Sequence, residues 1–140
     1  MAPDFKLQAA SGETIQLSEL RGRPVLINLW ASWCGPCRAE MPAMQRVYAD
    51  YQDQDFLILA VNATNQDNAD RAVAFAKEYD LTFPILFDTD GSVSSQYRLR
   101  ALPTSFFVDP SGIIQEVVVG GPMSEALLRI RIEQLLQEAP

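Results

Sequence analysis

The sequence predicts an α/β protein with a mixed central sheet flanked by helices. Three observations favour this class: apolar runs of strand length alternate with segments of helical periodicity, a tight turn joins the last two strand-like segments, and a hairpin-like segment opens the chain. Strands separated by helices pair most simply in parallel, and strands joined by a short turn pair antiparallel. The order β-β-β-α-β-α-β-α-β-β-α therefore predicts one sheet with both kinds of pairing.

The N-terminal elements are predicted to be short. Residues 5–7 and 15–17 alternate apolar and polar side chains around a turn-like Ser-Gly-Glu, which predicts a β-hairpin. Residues 18–22 have the composition of one helical turn, because Ser18 is able to cap it and Gly22 is able to end it.

Apolar runs predict the longer strands, and periodic segments predict the helices. The strands are expected at residues 25–30, 56–61, 83–87, 104–108 and 113–119. The helices are expected at residues 34–51, 67–79, 93–99 and 124–138. In the first helix Pro42 cannot donate to the Arg38 carbonyl, so a kink is expected there. Asp67 or Asn68 is expected to cap the second helix. The apolar positions of the last helix are Leu127, Leu128, Ile130, Leu135 and Leu136.

Composition limits the possible functions. A chain of 140 residues without an internal repeat, low-complexity segment or linker is expected to form a single domain, residues 1–140. The net charge is −7 without a basic block, which argues against nucleic acid and anionic membranes as partners. No apolar run approaches the roughly 20 residues that span a bilayer. No charged-then-apolar signal segment precedes Pro3.

Two residue counts narrow the chemistry further. The chain has no histidine, which removes histidine general-base catalysis, Cys-His dyads and most zinc sites. Its two cysteines, Cys34 and Cys37, cannot form a four-thiolate metal site. Arg38 stands where a haem-attachment motif needs histidine. Neither a metal nor another cofactor is therefore predicted.

Cys34 and Cys37 lie at the junction of a predicted strand and a predicted helix. A thiol attacks only as the thiolate, and the free N–H groups and dipole of a helix N-terminus stabilise that charge on Cys34. Cys37 lies one turn later, on the inward side. This asymmetry predicts an exposed nucleophile, Cys34, and a resolving thiol, Cys37. Pro36, in the first turn, loses no needed hydrogen bond and stiffens the loop.

Two other interpretations of the cysteine pair stay open but are less favoured. A structural disulfide between these positions would close almost no loop and would constrain the unfolded chain little. Half of a metal site would need further ligands that the composition does not offer. A C-x-x-C that follows a buried strand and opens a helix is typical of thioredoxin-like redox motifs.

The residues around the pair resemble the active site of the thioredoxin superfamily, because Trp33-Cys34-Gly35-Pro36-Cys37 is followed by Pro42. Other parts of the chain are similar to the branch called TlpA-like or ResA-like, with an AhpC/TSA- or Redoxin-type domain. These parts are residues 2–5, 17–22, 30–42, 83–84, 88–90, 102–104 and Gly120. The resemblance covers nearly the whole chain and implies a thioredoxin-like fold. The interval from Cys37 to Pro103 leaves room for the central helix-strand insertion of this branch.

The resemblance also implies a set of site residues. The two cysteines would be catalytic, and Trp33, Gly35 and Pro36 would help to bind substrate beside them. Leu102-Pro103 would be a cis-proline element that packs against the cysteines and pairs with the substrate backbone. From the sequence alone this bond would be assigned as trans.

Three positions concern the proton of Cys37. Asn28 stands where thioredoxins carry a buried Asp, and Asn65 stands where some relatives place a Glu after the second central strand. Glu40 matches a Glu that ResA-like proteins often carry three residues after the second cysteine. Without the family, Glu40 is better interpreted as a solvated charge on the helix surface. Which group handles the proton therefore stays open.

The leading hypothesis is a thiol-disulfide oxidoreductase that reduces disulfides of extracytoplasmic client proteins, with apocytochrome c as one implied client. Gly35-Pro36 between the cysteines resembles reducing thioredoxins. The family also implies a membrane thiol-disulfide electron donor and a periplasmic or membrane-anchored location, with a signal or anchor outside this sequence. A cytoplasmic location is the alternative, and we expect a monomer.

Two further functions stay open. Thiol peroxidases share the fold and a similar N-terminal segment, but the Pro and Thr of their P-x-x-x-T-x-x-C pattern are absent before Cys34. A non-catalytic protein-binding domain would keep the fold without the chemistry, and the two intact cysteines argue against it.

Overall fold

The computed structural model describes residues 1–137, and within them it has seven strands and four α-helices in the predicted order. The strands are β1 Lys6–Gln8, β2 Thr14–Gln16, β3 Val25–Trp30, β4 Leu57–Asn62, β5 Ile85–Phe87, β6 Thr104–Val108 and β7 Ile114–Val119. The helices are α1 Gly35–Tyr51, α2 Ala69–Glu78, α3 Ser92–Gln96 and α4 Glu125–Gln137. The predicted last residue of α4, Glu138, lies outside the described residues.

The strands form the mixed arrangement that the sequence predicted. β1 and β2 pair as an antiparallel hairpin, and the other five strands form one sheet in the order β5-β4-β3-β6-β7. In this sheet β3 pairs in parallel with β4 and antiparallel with β6, while β6 and β7 form the expected antiparallel hairpin. Every residue of β3 and β4 is buried, because both strands lie inside the sheet and are covered on both faces.

Helices cover both faces of this sheet. Side chains alternate between the faces along a strand, so Asn28 and Trp30 of β3 point to the same face. Asn28 hydrogen-bonds a side chain of α1, and Trp30 packs on Phe75 of α2 with ring centroids 4.8 Å apart. α4 packs beside α1 on this face. On the other face Phe106 of β6 packs edge-to-face on Tyr97, at the end of α3, with centroids 5.0 Å apart.

The predicted cap of the first helical turn is wrong. Ser18 lies inside a 3-10 helix, Leu17–Leu20, and its side chain does not cap it. Its backbone N–H donates instead to Asp4 Oδ1 at 2.8 Å. The capping group therefore comes from a residue fourteen positions earlier in the chain, which no local pattern indicates. For α2, the Asn68 alternative is confirmed, since its side chain accepts the Arg71 N–H.

One predicted apolar position of α4 is also wrong. Ile130 is 51% exposed, whereas Ile132, which was not among the predicted positions, is buried. Leu128, Ile132 and Leu135 are spaced by four and three residues and so lie on one helix face. Ile130 lies two residues from Leu128 and points to the opposite side, so packing on α1 and β6 selected the other stripe.

The topology brings three loops to one end of the sheet. Trp30, the last residue of β3, pairs with Asn62, the last residue of β4, and Leu29 pairs with Thr104, the first residue of β6. The segments that follow β3 and β4 and the segment that precedes β6 therefore meet there. No helix within residues 1–137 has both the length and the apolar character needed to cross a membrane.

Candidate active site

Cys34 and Cys37 form a disulfide at this end of the sheet, with Cα atoms 5.2 Å apart. Cys34 is the N-cap residue of α1, and its Sγ accepts a hydrogen bond from the backbone N–H of Cys37 at 3.2 Å. The predicted strand-helix junction is confirmed, since β3 ends at Trp30 and α1 begins at Gly35. A negative charge on the Cys34 sulfur would be stabilised by this N–H and by the helix N-terminus.

Cys34 is more exposed than Cys37, as predicted, but both residues are buried. Cys34 is 4% exposed and Cys37 is 0% exposed. The expectation of an exposed Cys34 is therefore wrong for this disulfide form, because the bond turns its sulfur toward Cys37. Gly35 and Pro36, in the first turn of α1, are both exposed, so this turn is the side from which another molecule can approach the pair.

Trp33, directly before the pair, is 56% exposed. Its indole N–H donates to the Gln66 carbonyl at 2.8 Å, which holds the ring in place. The neighbouring Ser32 donates its backbone N–H and its hydroxyl to Asp67, both at 2.7 Å, and Asn62 donates to the same carboxylate at 3.0 Å. Burial acts to raise the pKa of Asp67, but these hydrogen bonds outweigh it and lower the pKa below its usual value. The loop after β4 thus anchors the loop after β3.

A groove of about 210 Å³ lies beside the exposed tryptophan. It is lined by Trp33, Gln66, Leu99, Arg100, Ala101 and Leu102. The structure therefore brings together Trp33 and Leu102, two of the predicted substrate-binding residues. The Leu102-Pro103 bond is cis, as the resemblance implied. Pro103 is buried, and its carbonyl accepts the Gly120 N–H at 2.7 Å.

Glu40 is a buried acid one helical turn after Cys37. It is 1% exposed, and its two carboxylate oxygens accept hydrogen bonds from Asn28 Nδ2 at 2.9 Å and from the Met123 N–H at 3.0 Å. Desolvation by burial raises the pKa of Glu40, and the two hydrogen bonds oppose this only in part. The interpretation of Glu40 as a solvated surface charge is wrong, because α1 turns this side of the helix toward the sheet.

Asn28, the residue that replaces the buried Asp of thioredoxins, connects Glu40 to the sheet. It is fully buried, and its Nδ2 also donates to Ser105 Oγ at 2.9 Å, while its Oδ1 has no hydrogen-bond partner within residues 1–137. Asn65 is exposed and lies against Gly91. Glu40 is therefore the carboxylate that the structure places in this buried cluster.

Sequence reasoning missed the site role of four residues, although it named Asp67 as a possible cap of α2. Asp67 and Gly121 lie in loops, Ser105 is one residue of a uniformly buried strand, and Met123 contributes its backbone N–H. None of them belongs to a periodic or spaced pattern. Their roles depend on strand pairing and loop contacts, so no local sequence pattern indicates these roles.

Gly121 fits closely between Glu40 and the buried proline. A Cβ at this position would lie 2.8 Å from Glu40 Oε2 and 2.9 Å from Pro103 Cγ, and the proline ring cannot yield. Gly121→Ala is therefore expected to lower the free energy of unfolding by about 1–3 kcal/mol, measured by denaturant unfolding of the oxidised protein. Gly35→Ala is the matched control, because a Cβ there meets nothing within 4 Å. Equal stability of Gly121→Ala and wild type would contradict this packing.

The described part of the chain offers thiol chemistry at this site. Among residues 1–137 no three Cys, Asp or Glu side chains are grouped so that they could hold a metal ion. The β-α-β order around the pair, the disulfide-bonded cysteines at a helix N-terminus and the cis-proline at the neighbouring strand define a redox protein with the thioredoxin fold. The model of the AhpC/TSA family matches residues 1–117, and the chain belongs to this family.

Known proteins support the same class. The chain is 43% identical to the thiol-disulfide oxidoreductase ResA of Oceanobacillus iheyensis, over 98% of this chain and 70% of the relative. A Chlorobium tepidum protein assigned as the thiol:disulfide interchange protein DsbE superimposes with a TM-score of 0.88, at 34% identity over 96% of this chain and 94% of that one. A secreted disulfide oxidoreductase of Mycobacterium tuberculosis superimposes with a TM-score of 0.84, at 25% identity over 94% and 96%. The protein is a thiol-disulfide oxidoreductase.

Proposed function

We propose that this oxidoreductase reduces disulfides of extracytoplasmic client proteins by cycling between a Cys34/Cys37 dithiol and the disulfide. The observation that carries the proposal is the asymmetry of the pair. Both cysteines are buried, but only the Cys34 sulfur caps α1 and accepts a backbone N–H, and Cys37 is the less exposed of the two. Cys34 is thus the sulfur that is favoured as a thiolate, and Cys37 is protected until a mixed disulfide has formed.

The proposed reaction has two exchange steps. In the first, the Cys34 thiolate attacks one client sulfur, a bond forms between them, the client disulfide breaks, and the second client sulfur leaves as a thiolate. In the second, Cys37 loses its proton and attacks the Cys34 sulfur, which releases the first client sulfur. The client gains two electrons and, with two protons, becomes a dithiol. The protein is left with the Cys34–Cys37 disulfide.

We propose that Glu40 accepts the proton that Cys37 loses. The two residues are three positions apart on the buried side of α1. A carboxylate whose pKa is raised by burial is closer in pKa to a thiol, and it therefore accepts a thiol proton more readily than a solvated carboxylate does. In this proposal Asn28 and the Met123 N–H are positioning groups that hold the carboxylate.

The predicted substrate-binding residues form the surface on which we propose that a client docks. Trp33 is exposed directly before the cysteine pair, and Gly35 and Pro36 are exposed in the first turn of α1. Leu102-Pro103 directly precedes β6, the strand that pairs with β3. A client segment bound against these residues would place its disulfide next to Cys34. We further propose that residues 1–140 act as a single domain and as a monomer.

Location and electron supply follow from the same proposal. Similarity to a secreted oxidoreductase supports an extracytoplasmic location. Gly35-Pro36 between the cysteines supports reduction of clients as the direction of the reaction. The disulfide must then be re-reduced by a two-electron thiol donor, for which we propose a membrane thiol-disulfide protein. The haem-site cysteines of apocytochrome c are one candidate client.

Parallel turnover measurements with the reduced protein test this function. We expect insulin disulfides to be reduced much faster than hydrogen peroxide is consumed. We also expect a Cys34/Cys37 reduction potential near the thioredoxin end, about −270 mV, of a range that extends to about −120 mV. Comparable peroxide turnover would instead favour a thiol peroxidase. A potential near the oxidising end would reverse the direction, and no turnover of either substrate would favour a binding domain.

A further inference from the structure

We propose that the groove beside the cysteine pair selects client segments that carry an Asp or Glu next to their disulfide cysteine, and that Arg100 binds this carboxylate. The Trp33 groove, as we call it, is lined by Trp33, Gln66, Leu99, Arg100, Ala101 and Leu102. This inference rests on the proposed function, because the client must dock with its disulfide at Cys34.

The lining of the Trp33 groove is apolar except for one cation and one amide. Trp33, Leu99, Ala101 and Leu102 supply apolar surface, and none of the lining residues carries a carboxylate. The Trp33 N–H donates to the backbone carbonyl of Gln66, so the polar side-chain groups left for a bound segment are the neutral Gln66 amide and the Arg100 guanidinium. The guanidinium of Arg100 is therefore the charged group that the groove presents to a bound segment.

Arg100 is available to a partner. It is exposed, and within residues 1–137 it forms neither a salt bridge nor a side-chain hydrogen bond. By contrast, ion pairs with acidic side chains occupy four other arginines, namely Arg38, Arg46, Arg129 and Arg131. A guanidinium presents parallel N–H donors that match a carboxylate bidentately, which makes Asp and Glu its best-fitting side-chain partners.

The position of the groove defines which client residues enter it. Trp33 directly precedes Cys34, and Leu102 directly precedes the buried Pro103. A client joined to Cys34 therefore has the residues flanking its own cysteine over the groove. Because each residue of an extended chain advances about 3.3–3.6 Å, an acidic side chain about one or two residues from that cysteine is the one in range.

Because the protein as a whole is negatively charged, the proposed preference for an acidic residue acts only at short range. The net charge of −7 disfavours acidic clients at long range. At physiological ionic strength, however, this field is screened beyond about 8 Å, whereas a direct Arg100–carboxylate contact is screened less. The preferred client is thus one with a single acidic residue beside its cysteine rather than a strongly acidic protein.

The test uses homodimeric peptide disulfides in which Glu, Gln or Lys flanks the single cysteine. The reduced wild-type protein is reacted with each peptide in a single turnover, and the second-order rate constant is measured at about 0.15 M salt, where the screening length is about 8 Å. A flanking carboxylate also raises the pKa of the leaving thiol and slows exchange intrinsically. Each rate is therefore divided by the rate with dithiothreitol, which shares this leaving-group effect but has no groove.

After this normalisation we expect the Glu peptide to exceed the Gln peptide by about three- to five-fold, and the Lys peptide to be slowest. Arg100→Gln should remove the difference. Lys6→Gln, which removes the same charge from an exposed position on β1, should retain it. A Glu preference that is absent from wild type, or that survives in Arg100→Gln, would overturn the inference. If no peptide reacts faster than with Cys34→Ser, the proposed function itself fails.

Discussion

Cys34→Ser is expected to abolish disulfide reduction, and Cys37→Ser is expected to trap a mixed disulfide with the client. The difference follows from the asymmetry of the pair, in which Cys34 caps α1 and Cys37 is buried. Without Cys34 there is no attacking thiolate. Without Cys37 the first exchange still occurs, but no resolving thiol releases the client. The measurements are insulin-disulfide turnover and non-reducing electrophoresis of the reaction products.

The double variant Cys34→Ser/Cys37→Ser supplies the background for both readouts. A mixed disulfide that forms with Cys37→Ser but not with Cys34→Ser assigns the nucleophile. The opposite pattern would exchange the two roles, and wild-type turnover by either single variant would contradict the two-step mechanism. With Cys37→Ser, a peptide containing the C-x-x-C-H sequence also tests whether haem-site cysteines are captured.

Glu40→Gln is expected to lower kcat by about 10²-fold and to remove one ionisation from the pH profile. The reason is that an amide cannot accept the Cys37 proton, and loss of a positioned general base typically costs about 10²–10⁴-fold. The pH profile is the decisive measurement, because a variant that only disturbed packing would keep the wild-type shape. Glu13→Gln, at an exposed position in the N-terminal hairpin, is the control.

The same residue predicts how stability depends on pH. Burial raises the pKa of Glu40 in the folded state, so between the ordinary carboxyl pKa and this raised value the folded protein holds a proton that the unfolded chain has lost. The free energy of unfolding therefore falls as the pH rises through this window. Denaturant unfolding of the oxidised protein measures the slope, and Glu40→Gln should lack this component. An identical slope in both proteins would show that Glu40 is not the buried titrating group.

Asn28→Asp offers a stricter comparison for the same site. The substitution is nearly isosteric, but it replaces the Nδ2 donor that Glu40 accepts from at 2.9 Å with a second carboxyl group. Two carboxyl groups at this distance cannot both ionise, so the higher pKa of the pair is expected to rise further. The pH profile of kcat in Asn28→Asp is therefore expected to lie at higher pH than that of the wild type, and an unchanged profile would contradict this pairing of carboxyl groups.

Local patterns predicted most of the fold. Residues 25–30 and 104–108 were predicted with the bounds that β3 and β6 have, because a strand buried on both faces must be apolar nearly throughout. The start of α1 was predicted within one residue, since the cysteine motif and Pro36 mark a helix N-terminus. The hydrogen bond from the Ser18 N–H to Asp4 could not be predicted, because the two residues are fourteen positions apart in the chain.

For the site, the sequence by itself determined the chemistry, and the tertiary structure decided its surroundings. Two cysteines in a chain without histidine, at the junction of a strand and a helix, already favour thiol-disulfide exchange over a metal site or a structural disulfide. Only the packed fold decided that Glu40 is buried against Asn28 and that Arg100 shares a groove with Trp33. Reactivity depends on residue type and on the adjoining backbone, which are local. Burial and contacts between distant residues depend on how strands far apart in the chain pair, and local sequence patterns do not show this pairing.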